Sequence, residues 1–136
     1  MSQAQDPVVI VGMARTPIGA FQGDFSALSA SDLGKIAVEA AVSRAGLKPA
    51  DIEEVLMGCV LQAGQGQAPA RQAARKAGLP DSVPATTINK MCGSGMKAAM
   101  LAHDNLLAGA ASIMVAGGME SMTNAPYLLD KARGGL

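Results

Sequence analysis

The spacing of apolar residues changes several times along the chain. Val8, Val9, Ile10 and Val11, with Gly12 and Met13, form a short continuous apolar run, the pattern of a strand buried on both faces. Pro17 cannot extend a central strand, so a loop is expected through Phe21, Gly23 and Phe25 to about Ser29. Ser31 is a fair N-cap, and behind it Leu33, Ile36, Ala37, Ala40 and Ala41 recur at helical spacing. Gly46, Leu47 and Pro49 stop that helix as a left-handed cap with an apolar contact does.

Asp51, Ile52, Glu53 and Glu54 then make a turn, and residues 55–60 carry a second buried-strand pattern. After a flexible polar loop at 62–67, the spacing predicts a helix over 69–77, with Pro69 near its first position. Gly78, Leu79 and Pro80 end it with the stop chemistry used after the first helix, which is not an internal repeat. Residues 85–89 read as a third strand, 93–108 as a helix closed by Gly109, and 112–118 as a fourth strand. On that last helix Met96, Ala99, Met100, His103 and Leu107 share one side, while Ala98, Leu101, Ala102 and Leu106 occupy others. So wide an apolar surface predicts burial on more than one side. The alternation gives a βαβαβαβ order: an α/β fold with a mostly parallel sheet and right-handed crossovers.

Composition narrows the partners. In 136 residues, 49% hydrophobic, the chain has material for one domain with one core. Eleven basic residues balance eleven acidic ones without a basic block, which argues against a nucleic-acid or anionic-membrane partner. The opening residues lack a positive region followed by an apolar core, so no signal peptide is expected. No apolar run approaches the ~20 residues that span a bilayer. Cys59 and Cys92 lie far apart and form no CxxC pair, the usage of reduced thiols in a cytoplasmic protein. With no Trp, one Tyr and two Phe, small residues and nine Met are left to fill the core.

The candidate chemistry centres on Cys92. Thr86, Thr87 and Ile88 favour a strand, and an Ala/Met/Leu-rich helical pattern follows; Cys92 sits at the changeover. A thiol there lies beside the free N–H groups of a first helical turn, which favour negative charge and raise the thiolate fraction. Gly93 and Gly95 leave bare backbone for a carbonyl to approach. The same pattern also suits an inert, packed cysteine. Arg71 and Arg75, four apart on one helix face, suit either a phosphate or, the plainer reading, solvent. His103 is the only histidine; eleven residues on from Cys92 along one helix, it stands ~16 Å away and is read as a helix residue rather than a base. Glu120 follows a Gly-Gly turn near strand ends and is read as a structural ion-pair partner.

The stretch Ile88-Asn89-Lys90-Met91-Cys92-Gly93-Ser94-Gly95-Met96-Lys97-Ala98 resembles the segment of thiolases that carries their acyl-accepting cysteine. Ala14-Arg15-Thr16-Pro17-Ile18-Gly19 with Phe21 and Gly23, then Leu28-Ser29-Ala30, then Gly117-Gly118-Met119-Glu120-Ser121-Met122 match in order. The resemblance thus spans nearly the whole chain, departing at Ala99, where the family usually has a larger aliphatic residue.

It implies the opening part of a thiolase of the acetyl-CoA acetyltransferase type: residues 1–118 as the N-terminal α/β half, and 119–136 as the start of a loop region. Thiolases are nearly three times this length, so the chain is expected to be truncated before most of that loop region and the C-terminal half. Those parts carry the family's histidine, its second cysteine and most coenzyme A contacts. The implied chemistry is acyl transfer between CoA thioesters through an acyl-enzyme on Cys92, by Claisen condensation of two acetyl-CoA or thiolysis of a 3-ketoacyl-CoA. Coenzyme A enters as part of the substrate; no other cofactor and no metal are implied. A homodimer or homotetramer is expected. The alternatives are a ketoacyl-synthase-like condensing enzyme and a catalytically inactive binding or assembly module.

Overall fold

The computed structural model describes residues 7–135. Residues 1–6, which include most of the segment read as lacking a signal peptide, lie outside the described residues. Three helices and three strands alternate: α1 (Ala30–Arg44), β1 (Glu54–Gly58), α2 (Pro69–Lys76), β2 (Ala85–Ile88), α3 (Ser94–Leu107) and β3 (Met114–Gly118). Short 3-10 turns lie between α1 and β1 at Pro49–Asp51 and after β3 at Met122–Asn124 and Ala132–Gly134.

The sheet is parallel, in the order β2-β1-β3, with Val55 beside Ala85 and Val115, and Gly58 beside Ile88 and Gly118. Side chains alternate across β1. Val55 and Met57 pack into a core with Val38 and Val42 of α1 and Ala70, Ala73 and Ala74 of α2. Leu56 points the other way, onto Ala98 and Ala102 of α3. The crossovers through α2 and α3 step in opposite directions from opposite faces, which gives both the same hand.

All three helices stop alike. The residue after each cap is a glycine with positive φ, 71° at Gly46, 81° at Gly78 and 72° at Gly109. The next amide reaches back to the last turn: Leu47 to Val42, Leu79 to Ala74 and Ala110 to Asn105. Each is a Schellman closure, so the stop expected twice occurs three times.

Three expectations need correction. Residues 8–13 form no strand. Ile10 is 85% exposed and Val9, Val11 and Met13 are exposed as well, because the segment runs over α1 instead of joining the described sheet. Arg44 Nη1 donates to the Met13 carbonyl at 3.0 Å, and a Cβ on Gly12 would lie 2.6 Å from the Ala41 carbonyl oxygen. An apolar run reports what a segment would bury, not whether a neighbouring strand is there to pair with it.

Second, α1 is capped by Ser29, not Ser31. A capping box needs an acceptor three residues on. Ser29 has Asp32, while Ser31 would have Gly34. The Asp32 amide donates to Ser29 Oγ (3.2 Å), and the Ser29 amide to Asp32 Oδ2 (3.0 Å). Ser31 is buried and accepts from Lys76 Nζ at 2.8 Å.

Third, α3 is covered on one side. Ser94, Ala98 and Ala102 are buried, whereas Met96, Met100 and Leu107 stand exposed.

The hydrogen bond from Lys76, reinforced by those from Ser29, lowers Asp32 to about 2. A carboxylate held below its unfolded value contributes stability above about pH 4, and that contribution is lost as pH falls toward 2. The Asp32 and Lys76 side chains are 39% and 40% exposed, so solvent screening limits the effect to ~1 kcal/mol. Asp32→Asn is expected to cost about that much at pH 7 and almost nothing near pH 2, as measured by urea unfolding at both values.

Candidate active site

Cys92 is exposed and lies between the carboxyl end of β2 and the start of α3, on the edge where parallel α/β sheets bind ligands. The turn that carries it is closely tied. The Gly93 amide donates to the Lys90 carbonyl at 3.0 Å, and the Ser94 amide to the Met91 carbonyl at 3.1 Å. Met91, just before the thiol, has φ of +48°, and its amide donates to Asn89 Oδ1 at 3.1 Å. The helical ladder begins with Lys97 donating to Gly93 at 2.9 Å. Gly95 and Met96 are therefore the open amides of the first turn.

Glycine sets how close this turn comes to the sheet. A Cβ on Gly58 would fall 2.6 Å from the Ser94 Cβ, and one on Gly118 would fall 3.3 Å from the Gly95 Cα. The end of α3 thus rests almost directly on the last residues of β1 and β3. Beside it opens a cleft of about 710 Å³ whose lining includes Arg15, Phe21, Phe25, Met96, Met119 and Glu120. Cys92 is outside the lining, but Gly95 and Met96 of its turn are part of it.

Glu120 proves to be an acceptor for backbone rather than an ion-pair partner. Its Oε2 takes the Val60 amide at 2.9 Å and its Oε1 the Leu61 amide at 3.0 Å. The Cys59 thiol also donates to Oε1, at 3.5 Å. One carboxylate thereby joins the chain leaving β1 to the chain leaving β3. Cys59 is 1% exposed. Burial first, and then the Glu120 charge, push it up to about 11, against a hydrogen bond from Gln65 that acts the other way.

The other candidates are tied elsewhere. Arg71 donates to the carbonyls of Asp81 and Val83, and Arg75 pairs with Asp81 at 3.1 Å. These arginines hold the loop before β2. His103 lies well along α3, with Asp104 3.6 Å away. The sequence reading missed Ser94, whose buried hydroxyl accepts the Lys90 amide at 2.8 Å and donates to the Met91 carbonyl at 2.6 Å. The available signal was a serine inside a strand-to-helix turn, where short hydroxyl side chains bond to nearby backbone. Among the described residues, no three His, Cys, Asp or Glu side chains gather where a metal ion could be held, and no helix is long and apolar enough to cross a membrane.

Fold and site together define an α/β protein that presents one open thiol at a helix start above a parallel sheet. The chain belongs to the thiolase family: the family pattern described as "Thiolase, N-terminal domain" matches residues 8–136. It is 56% identical over 133 residues to an acetyl-CoA acetyltransferase of Candida tropicalis, covering 97% of this chain and 33% of that protein. It is also 56% identical over 128 residues to an acetyl-CoA acetyltransferase of Cupriavidus necator, covering 94% and 33%. A mitochondrial acetyl-CoA acetyltransferase of Xenopus laevis is 60% identical over 124 residues, covering 91% and 30%. A crystal structure of a thiolase from Ascaris suum in complex with coenzyme A superposes with a TM-score of 0.89 at 40% identity, covering 93% of this chain and 34% of that one. The chain spans about a third of the length of these relatives.

Two outcomes follow. Iodoacetamide at pH 7.5 is expected to alkylate Cys92 at least about tenfold faster than Cys59, read by peptide mass spectrometry over time. Glu120→Ala leaves two amides without their acceptor and is expected to cost ~1–3 kcal/mol in urea unfolding, with Cys59 becoming alkylatable in the same variant.

Proposed function

We propose that this chain supplies the acyl-accepting part of an acetyl-CoA acetyltransferase. The observation that carries the reading is the exposed Cys92 thiol at the start of α3, within a chain 56–60% identical to proteins of that name. The thiolate attacks the carbonyl carbon of an acyl-CoA; the C–S bond to coenzyme A breaks, CoA leaves as its thiolate and takes up a proton, and the acyl group remains on Cys92. In condensation, a second acetyl-CoA deprotonated at its methyl carbon attacks the acyl-enzyme, forming the new C–C bond and freeing the cysteine. In the reverse direction, CoA cleaves a 3-ketoacyl-CoA.

The amides of the first turn of α3 are suited to the negative oxygen that develops during attack, and bare glycine backbone keeps the approach open. His103 is too far along the helix to serve as the base, so that group comes from beyond these 136 residues or from another chain. Residues 1–118 act as the α/β half and 119–136 open a loop region. The assembly is a homodimer or homotetramer in the cytoplasm, and the exposed Met96, Met100 and Leu107 face is apolar surface of the kind that further protein covers. The named relatives and the coenzyme A-bound neighbour support this reading over a ketoacyl-synthase-like enzyme or an inactive module.

The isolated 136-residue chain is expected to show no thiolysis of acetoacetyl-CoA. Put in place of the matching segment of the Cupriavidus necator acetyltransferase, it is expected to yield a chimaera that cleaves acetoacetyl-CoA with CoA. Cys92→Ala in that chimaera is expected to lower turnover by at least about a thousandfold, and Cys59→Ala to leave most of it. A folded chimaera that is inactive, or one indifferent to Cys92→Ala, would overturn the reading.

A further inference from the structure

We infer that Ser94 is a positioning residue for Cys92: its hydroxyl holds the left-handed backbone of Met91 and so sets where the neighbouring thiol stands against the first turn of α3. The inference rests on the proposed function only in taking Cys92 as the reacting thiol.

Ser94 is 5% exposed. Its Oγ accepts the Lys90 amide at 2.8 Å and donates to the Met91 carbonyl at 2.6 Å. A single hydroxyl thus bridges the two residues that precede the thiol, using its donor and an acceptor site together. Alanine offers neither. Met91 is the residue that needs holding. Its φ of +48° is disfavoured for any residue with a Cβ, and the conformation persists only where its surroundings over-determine it. The Met91 side chain is 67% exposed, so its own packing does little to hold it. The restraints are polar: Asn89 Oδ1 takes the Met91 amide, and the Met91 carbonyl accepts both the Ser94 amide at 3.1 Å and the Ser94 hydroxyl at 2.6 Å, of which Ser94→Ala removes the shorter.

The seat of Ser94 is fixed in turn by the sheet. Gly58, the last residue of β1, lets the Ser94 Cβ come so near that a Cβ on residue 58 would lie 2.6 Å from it. The position of the hydroxyl is therefore referred to β1, and the position of the thiol to the hydroxyl. Release of Met91 would let Cys92 shift from its place at the start of α3.

The test uses the whole 136-residue chain, with iodoacetamide as the probe of both cysteines at pH 7.5. Ser94→Ala is expected to lower the alkylation rate of Cys92 about fivefold, the scale of a lost helix-terminus interaction, while Cys59 keeps its protection. Adding Met91→Gly to Ser94→Ala is expected to restore the Cys92 rate to within about twofold, because glycine takes positive φ without penalty. An unchanged Cys92 rate in Ser94→Ala overturns the proposal. So does Cys59 becoming reactive in parallel, which marks a general loosening of the fold, or a double variant that stays slow. Failure of the chimaera to cleave acetoacetyl-CoA would sink the proposed function without moving these rates.

Discussion

The close seating of α3 on the sheet is the constraint on which the rest of the structure depends. Helices usually stand off from a sheet on a cushion of side chains. Here, at one end, α3 comes down onto backbone because β1 and β3 both finish in glycine and the helix begins Ser94, Gly95. Added bulk at position 58 would lift the helix start. That would pull the Ser94 hydroxyl off Met91 and separate the first-turn amides from the ends of the strands. Farther along, Ala98 and Ala102 keep the helix near Leu56, so small residues extend the same contact over more than two turns.

Glu120 provides the matching constraint on the other side of the strand ends. Its two oxygens take the amides of Val60 and Leu61, groups that the sheet has ceased to satisfy once β1 stops at Gly58. Hydrogen bonds to a charged acceptor contribute about 1.5–3 kcal/mol each, so this one carboxylate decides the path of the loop after β1. The loop at 59–67 and the segment after β3 are thereby held as a pair beside the cleft. Cys59, enclosed in the same knot, is kept protonated by burial and by its charged neighbour.

Much of this architecture was legible in the residues. Helix stops were readable because a glycine after the last apolar position has one common meaning, and all three were used that way. The strands equivalent to β1, β2 and β3 were readable within one or two residues, since continuous apolar runs flanked by turn residues mark buried parallel strands. Position of the thiol at a strand-to-helix turn was also readable, because Thr86, Thr87 and Ile88 give way abruptly to Ala- and Met-rich helix.

Part of what escaped depends on a partner distant in sequence. Residues 8–13 look like a buried strand, and nothing local reveals that no described strand lies beside them. Glu120 finds its acceptor role sixty positions back, at Val60. The choice of Ser29 over Ser31 as the cap was in fact local, decided by Asp32 three residues on. Ser94 was hidden by company: between two glycines it reads as a small residue chosen for fit, and its hydrogen bonds appear only when Met91 is seen to be left-handed.

The three glycine closures have a consequence for how the molecule comes together. Parallel strands meet only after a long excursion of the chain, so pairing of this sheet is a late and slow event. The helix ends do not wait for it. Each is specified by a handful of adjacent residues, and each crossover therefore reaches assembly already cut to length. The search that remains is over docking rather than over helix boundaries, which shortens the interval in which apolar surface lies open to other chains.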